Sequence, residues 1–264
     1  MLDIHESALE CLLASDPDDK CRLTHGLLLA SRAMSPKSIV RDRPAVIEPG
    51  QPTRPPLVAP RDLERRRLGT VAGRAALIHA LTHIEFNAIN LALDAVYRFQ
   101  DMPEAFYHDW LQVADEEATH FLLLRTHLRG LGYDYGDFPA HNGLWEMTQK
   151  TAHDVMARMA LVPRCLEARG LDVTPGIRDK LTGCGDGAAA ALLDIILRDE
   201  IGHVRIGDRW FRYHCRLRQL EPEQTFRDLV AEYFVGELKG PYHLEARRQA
   251  GFTASELHYL ERGG

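Results

Sequence analysis

Two short motifs in the sequence place a glutamate three residues before a histidine. Glu117 and His120 form the first motif, Glu200 and His203 form the second, and an acid precedes each glutamate. Residues three apart share one face of an α-helix, so each pair can direct a carboxylate oxygen and an imidazole nitrogen at one metal ion. The alternative is a pair of buried histidines that are hydrogen-bonded to carboxylates without any metal. Among 13 histidines one such motif is expected by chance, whereas two motifs in long apolar helical segments favour metal binding.

Two further glutamates fall on apolar helical stripes, Glu85 before the first motif and Glu167 before the second. The spacing repeats, since 32 residues separate Glu85 from Glu117 and 33 separate Glu167 from Glu200. Unpaired carboxylates on buried helix faces are strongly destabilising unless cations neutralise them. Four carboxylates and two imidazoles, with no thiolate, suit Fe or Mn better than a structural zinc site. The nearly equal spacing within the two pairs of acids also makes the second half of this region look like a duplicate of the first.

Helices must position these residues, because no long stretch of the sequence alternates between apolar and polar residues as a strand does. Residues 1–34 predict two helices. The motifs and lone acids fall on four long predicted helices, and a shorter one follows: 62–100, 103–130, 143–169, 188–217 and 222–238. Pro163 lies one turn before Glu167 and is expected to kink the third long helix or open its last turns. Gly170 is expected to terminate that helix. The sequence predicts an all-α fold.

The distribution of proline indicates how the chain is organised. Half of the 14 prolines lie between Ser35 and Pro60, so this segment is predicted to wrap over a surface or to act as a stiff connector. We expect an N-terminal segment of helices and proline-rich chain at 1–60 and a metal-binding four-helix bundle at 61–218. A C-terminal helix and a polar tail are expected to occupy 219–264.

The composition limits the class of protein. The net charge of −6 and a pI near 6.1 argue against general coating of nucleic acids. No apolar run is long enough to span a bilayer, and the first residues include acids where a signal peptide would be basic. We therefore expect a cytoplasmic protein that does not act at a membrane. Five cysteines without a C-x-x-C spacing predict neither a disulfide framework nor a zinc ribbon.

Several polar residues next to the six candidate ligands have two interpretations. A carboxylate commonly orients a metal-bound imidazole by accepting a hydrogen bond from its other ring N–H. This is one possible role for Glu116 and Asp199. Exposed helix charges are the alternative for both. His79 and His83 do not share the face of Glu85, so we expect them to lie at the edge of the core or behind the ligands rather than on a metal.

Arginines recur at helical spacing on the fourth long helix. The set is Arg205, Arg209, Arg212 and Arg216. A solvated or salt-bridged helix face explains this pattern. The alternative is an anion-binding strip that would suit a phosphorylated or nucleic-acid substrate.

Taken together, two Glu and two Glu-x-x-His motifs on four helices resemble the ferritin-like carboxylate di-iron proteins. The resemblance covers residues 62–218 and implies a ferritin-like four-helix bundle. The narrower segments His83-Ile84-Glu85, Leu166-Glu167-Ala168-Arg169-Gly170 and Asp199-Glu200-Ile201-Gly202-His203 resemble an uncharacterised ferritin-like family, domain of unknown function 455. That family is distantly similar to the di-iron hydroxylase of tRNA modification. The resemblance implies bridging roles for Glu117 and Glu200, terminal roles for Glu85 and Glu167, and one nitrogen ligand each from His120 and His203.

The function that this resemblance implies is a non-haem di-iron oxidoreductase. Its cofactor would be two Fe ions, with Mn or a mixed Fe/Mn pair as the alternative, and the six ligands would act in catalysis through the metals. We expect an oxidase or monooxygenase that uses O2 on a small molecule or modified nucleotide. A separate electron-donor protein is expected because no Gly-x-Gly-x-x-Gly segment is present. Iron binding with ferroxidase or storage activity, and a metal-dependent scaffold, are the competing functions, and homo-oligomerisation stays open.

Overall fold

The computed structural model describes residues 2–33, 47–64, 66–234 and 240–262. Within these ranges every regular element is helical, apart from one isolated bridge between Leu57 and Ala140. The predicted all-α class is confirmed. The chain divides into two compact units, 1–149 and 150–264, which are described in turn. The first part of the predicted proline-rich segment, residues 35–46, lies outside the described residues, and the ferritin-like arrangement of four helices stays a prediction.

The first unit is built around two long helices that are adjacent in sequence. Its helices are α1 Ile4–Leu13, α2 Pro17–Ala33, α3 Val71–Arg98, α4 Glu104–Gly130 and α5 Gly143–Lys150, which ends just past the boundary. The short connection 99–103 brings α4 back along α3, and this pair has the most extensive contact in the unit. Phe86 and Ile89 on α3, and Phe121 and Leu124 on α4, are fully buried.

The helix α3 begins later than predicted, at Val71 rather than at Asp62. Thr70 caps it by accepting a hydrogen bond from the Gly73 backbone N–H at 3.0 Å. Capping by a threonine side chain satisfies a donor that would otherwise be unpaired at the helix start. The residues before it instead form a short 3-10 turn at Pro60–Asp62 and irregular chain.

The two N-terminal helices are held to the long pair by buried polar contacts. The ring Nδ1 of His5 on α1 lies 2.8 Å from the main-chain oxygen of Val96 on α3. Lys20 on α2 donates to Asn90 Oδ1 on α3 and to Leu12 O, each at 2.6 Å. Burial lowers the pKa of Lys20 to about 7, because its charged form loses solvation in the interior.

The second unit contains the other two motif-bearing segments. Its elements are α6 Val155–Leu161, a π-helical segment Val162–Glu167, α7 Ala168–Gly183, α8 Gly187–Leu217, α9 Pro222–Tyr233, α10 Leu244–Gln249 and α11 Ala254–Glu261. The predicted opening of the helix after Pro163 is confirmed by the π-helical segment. The helix α8 packs on this segment so closely that a Cβ atom on Gly207 would lie 2.3 Å from the ring carbons of Pro163.

Two predictions about the third long helix were wrong. Residues 151–154 interrupt it, because Asp154 caps a new helix through the Met156 N–H and Thr151 accepts from the Arg158 guanidinium. The chain then stays helical beyond Gly170 to Gly183, with Pro175 inside α7. Leu171 and Leu181 on α7 are fully buried, and such packing outweighs the local preferences of Gly and Pro.

The predicted polar tail contains two further helices, α10 and α11. Thr253 and Glu256 form a reciprocal capping box at the start of α11, and apolar residues of both helices are buried against Val204 on α8 and Ala168 on α7. The helix α9 ends at Tyr233, and the predicted end near Leu238 lies outside the described residues. No helix in the described ranges is long and apolar enough to cross a bilayer.

Candidate metal centre

A buried cluster of two glutamates and one histidine lies between α3 and α4 in the first unit. His120 Nδ1 is 3.3 Å from Glu85 Oε2 and 3.5 Å from Glu117 Oε2. Each of the three residues offers a ligand atom within 4.8 Å of the others, a spacing that could hold a metal ion. Their exposed fractions are 4% for Glu85, 0% for Glu117 and 1% for His120. The structure therefore brings together the three ligands that the sequence predicts in this half.

Helix geometry explains how α4 contributes two of these groups. Glu117 and His120 are three residues apart, so both side chains project from the buried face of α4. Glu85 comes from the facing helix α3, where it begins an unbroken run of buried residues, 85–96. Because α3 and α4 pack against each other, Glu85 lies close to the Glu117–His120 motif although 32 residues separate it from Glu117.

The pKa values in this cluster show how the negative charge of its carboxylates is neutralised in the absence of a metal ion. Burial and the neighbouring charge of Glu117 together raise the pKa of Glu85 to about 8. Burial acts to lower the pKa of His120, but its contacts with Glu117 and Glu85 outweigh burial and raise it to about 11. Protons on these groups therefore take the place of a cation. A divalent ion would displace them, because metal ligands must be deprotonated.

The burial and contacts of Glu85 show whether the site fits a metal ion. It is 4% exposed, and within the described part of the chain its only ion-pair partner is His120. Its Oε2 atom is buried and accepts no hydrogen bond. Buried carboxylates in proteins are normally paired with cations, hydrogen-bonded or bound to metal. The cluster therefore fits a metal ion as its missing counter-charge.

The surroundings of the cluster are aromatic and aliphatic. Phe121 directly follows His120 and packs on Phe86, with ring centroids 5.6 Å apart. Tyr135 makes an edge-on contact with Phe121 at 5.2 Å. Leu124, one turn beyond His120, is also fully buried. This shell keeps water away from the carboxylates and strengthens their interactions with any bound cation.

The second unit carries the repeated motif on α8. His203 is fully buried, and its Nδ1 atom lies 3.8 Å from Glu200 Oε2 one turn earlier. Glu167 ends the π-helical segment and is half-buried, as is Glu200. A π-helical turn inside a helix is uncommon and frequently occurs at functional sites. The sequence signal for this irregularity was Pro163, which cannot donate a backbone hydrogen bond.

The residues predicted to lie behind the ligands have well-defined contacts of their own. Glu116 accepts a hydrogen bond from Gln112 Nε2 at 2.5 Å, and Asp199 pairs with Arg198 at 2.9 Å. His83 contacts Tyr135 Oη at 2.9 Å and the His141 main-chain oxygen at 3.1 Å. Burial lowers the pKa of His83 to about 4, so its imidazole is neutral. His79 Nε2 accepts from the Gly136 N–H at 2.9 Å.

Arg212 in the arginine series on α8 is salt-bridged, as one interpretation of the series predicts, and one of its partners lies on α11. Arg212 pairs with Asp208 at 2.9 Å and with Glu256 at 2.8 Å. Arg164, which is fully buried, pairs with the same two acids at 2.9 and 2.6 Å. The Arg209 guanidinium lies over the Trp210 ring at 4.7 Å. Only the capping-box spacing of Thr253 and Glu256 could have pointed to one member of this network.

Fold and site together define the class of this protein, an all-helical protein with a buried glutamate and histidine cluster that could hold a metal ion. The chain belongs to the family described as protein of unknown function (DUF455), whose model matches residues 13–258. A protein of Haemophilus influenzae that is described as uncharacterized is 47% identical over 264 residues, covering 94% of this chain and 90% of its own length. No solved structure matches the chain.

Proposed function

We propose that the chain binds two divalent metal ions and uses them to oxidise an organic substrate with O2. The ligands in this proposal are Glu85, Glu117, His120, Glu167, Glu200 and His203. Iron is the proposed metal, with manganese or a mixed pair as the alternative. The buried cluster of Glu85, Glu117 and His120 carries the proposal, because it concentrates two carboxylates and one imidazole, and no arginine or lysine among the described residues pairs with Glu85.

The chemistry of the donors supports the choice of metal. Carboxylate oxygen and imidazole nitrogen suit iron and manganese, and the five cysteines are free and belong to neither motif. The repeat of the motif at Glu200 and His203, and the acid Glu167 on a π-helical turn, support a second ion. This count of ligands matches the pattern of ferritin-like di-metal proteins.

Iron bound by these residues would supply one-electron and O2 chemistry that no side chain can perform. The residues of the chain would do the rest. Glu85 and Glu117 would orient and neutralise the ions, and the proton that His120 carries in the metal-free chain would leave from Nδ1 when the site fills. Phe86, Phe121 and Leu124 would exclude water from the reacting atoms.

The test is O2 uptake by protein loaded anaerobically with Fe²⁺ and then mixed with buffer containing O2. We expect uptake above the metal-free protein in the wild type and little uptake in Glu117→Gln, which keeps the size of the side chain. Asp115→Asn is the matched control, because Asp115 lies on the same helix but pairs with His25 at 2.9 Å. Equal uptake by Glu117→Gln and wild type would refute the role of this cluster.

An excess of Fe²⁺ separates the oxidase from the storage alternative. An oxidase with two metal sites consumes O2 in proportion to those sites and then stops unless reductant and substrate are supplied. A storage protein continues to oxidise and retain the added iron. Size-exclusion chromatography that shows a large assembly with hundreds of irons per particle would replace the oxidase proposal with storage.

A further inference from the structure

A cavity of about 630 Å³ lies beside the first half of α3 in the first unit, and neither Glu85, Glu117 nor His120 lines it. Residues of α3, the irregular segment before it and the connection before α5 form its walls. Much of the lining is apolar and includes Leu77, Ile84, Phe138 and Leu144. Ile84 is 41% exposed although it is large and aliphatic. Cavities of this size and lining commonly bind drug-sized organic molecules.

The wall formed by the connection before α5 is fixed in place by main-chain hydrogen bonds. Val58 donates to the Ala140 oxygen at 2.8 Å, and Ala140 donates to the Pro56 oxygen at 3.1 Å. The main-chain oxygen of His141 lies 3.1 Å from the His83 ring on α3. The His83 ring is held in turn by Tyr135 Oη, which lies 2.9 Å from its Nδ1. The cavity is therefore formed before any ligand arrives, which lowers the entropic cost of binding.

Among the described residues, the carboxylates and the guanidinium that line the cavity are already paired. Glu64 pairs with Arg66 at 2.7 Å, and the Arg66 guanidinium lies over the Phe138 ring at 5.2 Å. Asp62 lies 3.8 Å from Arg61. A charged ligand would have to replace these contacts and to give up its own hydration. The lining therefore selects an uncharged molecule.

One hydrogen-bond donor of the lining stays available. The Gly143 N–H donates to His141 Nδ1 at 3.2 Å, so in the neutral ring the proton resides on Nε2. His141 is half-buried and lines the cavity. Its Nε2–H has no acceptor within the described residues. A carbonyl or ether oxygen would complete this hydrogen bond.

We infer that this cavity binds an uncharged, mostly hydrocarbon molecule whose oxygen accepts a hydrogen bond from His141 Nε2–H. The site is separate from the proposed metal function and does not depend on it. Apolar contacts with the walls supply most of the binding free energy, and His141 fixes the orientation of the ligand.

Two small probes of nearly equal shape test the inference. Acetophenone carries a carbonyl oxygen, and α-methylstyrene replaces that oxygen with a methylene group. Dissociation constants for the full-length protein are measured by ligand-observed NMR titration. We expect His141→Phe to weaken acetophenone about fivefold, which corresponds to one neutral hydrogen bond, and to change α-methylstyrene less than about twofold.

A second variant tests the cavity itself. Ala76 and Ala80 line it from α3 and are half-buried and exposed, so the double variant A76F/A80F adds bulk without disturbing the core. We expect it to weaken both probes about tenfold or more, while circular dichroism shows unchanged helicity. Absence of binding to the wild type, undiminished binding to A76F/A80F, or an equal effect of His141→Phe on both probes would each overturn the inference.

Discussion

Two buried clusters in this protein each contain two carboxylates, and they differ in what neutralises them. In the second unit, Asp208 and Glu256 are paired with Arg164 and Arg212 at 2.6 to 2.9 Å. We call these four residues the arginine network. In the first unit, Glu85 pairs only with His120 among the described residues, and Glu117 lies 3.5 Å from the same imidazole. We call these three residues the glutamate cluster.

The pKa directions express the same difference. Burial acts to raise the pKa of Glu256, but Arg164 and the Thr253 N–H lower it overall. Burial raises the pKa of Asp208 in spite of Arg164 and Arg212, so the two acids of the network respond in opposite directions. In the glutamate cluster, burial and Glu117 together raise the pKa of Glu85 to about 8. The arginine network therefore carries permanent counter-charges, whereas the glutamate cluster requires protons or metal ions.

The largest effect is expected from removing the shared arginine of the arginine network. Arg164→Met leaves two buried acids with less compensation and should lower the free energy of unfolding by about 3–5 kcal/mol. Arg164 also lies over the Phe211, Phe226 and Phe252 rings, so part of the loss comes from packing. Urea denaturation of the metal-free protein measures the change. Arg248→Met, which removes an exposed pair with Glu245, is the control and should cost less than about 1 kcal/mol.

Stabilisation by metal should depend on the glutamate cluster and not on the arginine network. At a Mn²⁺ concentration 100 times the dissociation constant, the folded state gains about 2.7 kcal/mol. Glu117→Gln should abolish this gain. Arg212→Met should show the same gain, although its stability without Mn²⁺ should be lower than that of the wild type. Thermal denaturation with and without Mn²⁺ measures both. A full metal-induced shift in Glu117→Gln would mean that the cluster is not a metal site.

The metal-free protein should lose stability as the pH rises. The pKa of Glu85 is higher in the folded chain, about 8, than the ordinary value of 4.5. The folded state therefore binds more protons between these values, and its advantage is full below pH 4.5 and gone above pH 8. We expect a loss of about 1 kcal/mol per pH unit between pH 5.5 and 7.5. In Glu85→Gln the dependence should be flatter, and an unchanged slope would contradict the assignment.

A smaller effect of opposite sign is expected from Lys20. Its folded pKa, about 7, lies below the ordinary value of 10.5, so the unfolded chain binds more protons between them. Stability should rise by about 1 kcal/mol between pH 7 and pH 8 through this residue. Lys20→Met should remove the increment in denaturation experiments at the two pH values. A slope identical to that of the wild type would show that Lys20 stays charged when buried.

Patterns within single helices were predictable from the sequence. Glu117 and His120 lie on one buried face because their spacing matches the helical period, and the stripe that contains Glu85 placed that acid on the inner face of α3. Pro163 indicated the irregular turn that became the π-helical segment. The all-α class followed from the same periodicity.

Contacts that depend on tertiary packing were not predictable. The helix α7 continues past Gly170 because Leu171 and Leu181 are buried, and a local terminator cannot report such packing. Arg164 and Glu256 are 92 residues apart and meet only in the folded unit. The cavity beside α3 depends on how the connection before α5 is anchored to Pro56 and Val58. None of these features has a periodic signal.

We propose that metal ions are the counter-charge of the glutamate cluster and of its repeat at Glu200 and His203. The direct measurement is the metal content per chain after anaerobic dialysis against Fe²⁺, determined by elemental analysis. Two ions per chain are expected in the wild type and in the control Asp115→Asn. Fewer than two are expected in Glu117→Gln and in Glu200→Gln. A wild type without bound metal, or two ions in both glutamine variants, would contradict the claim.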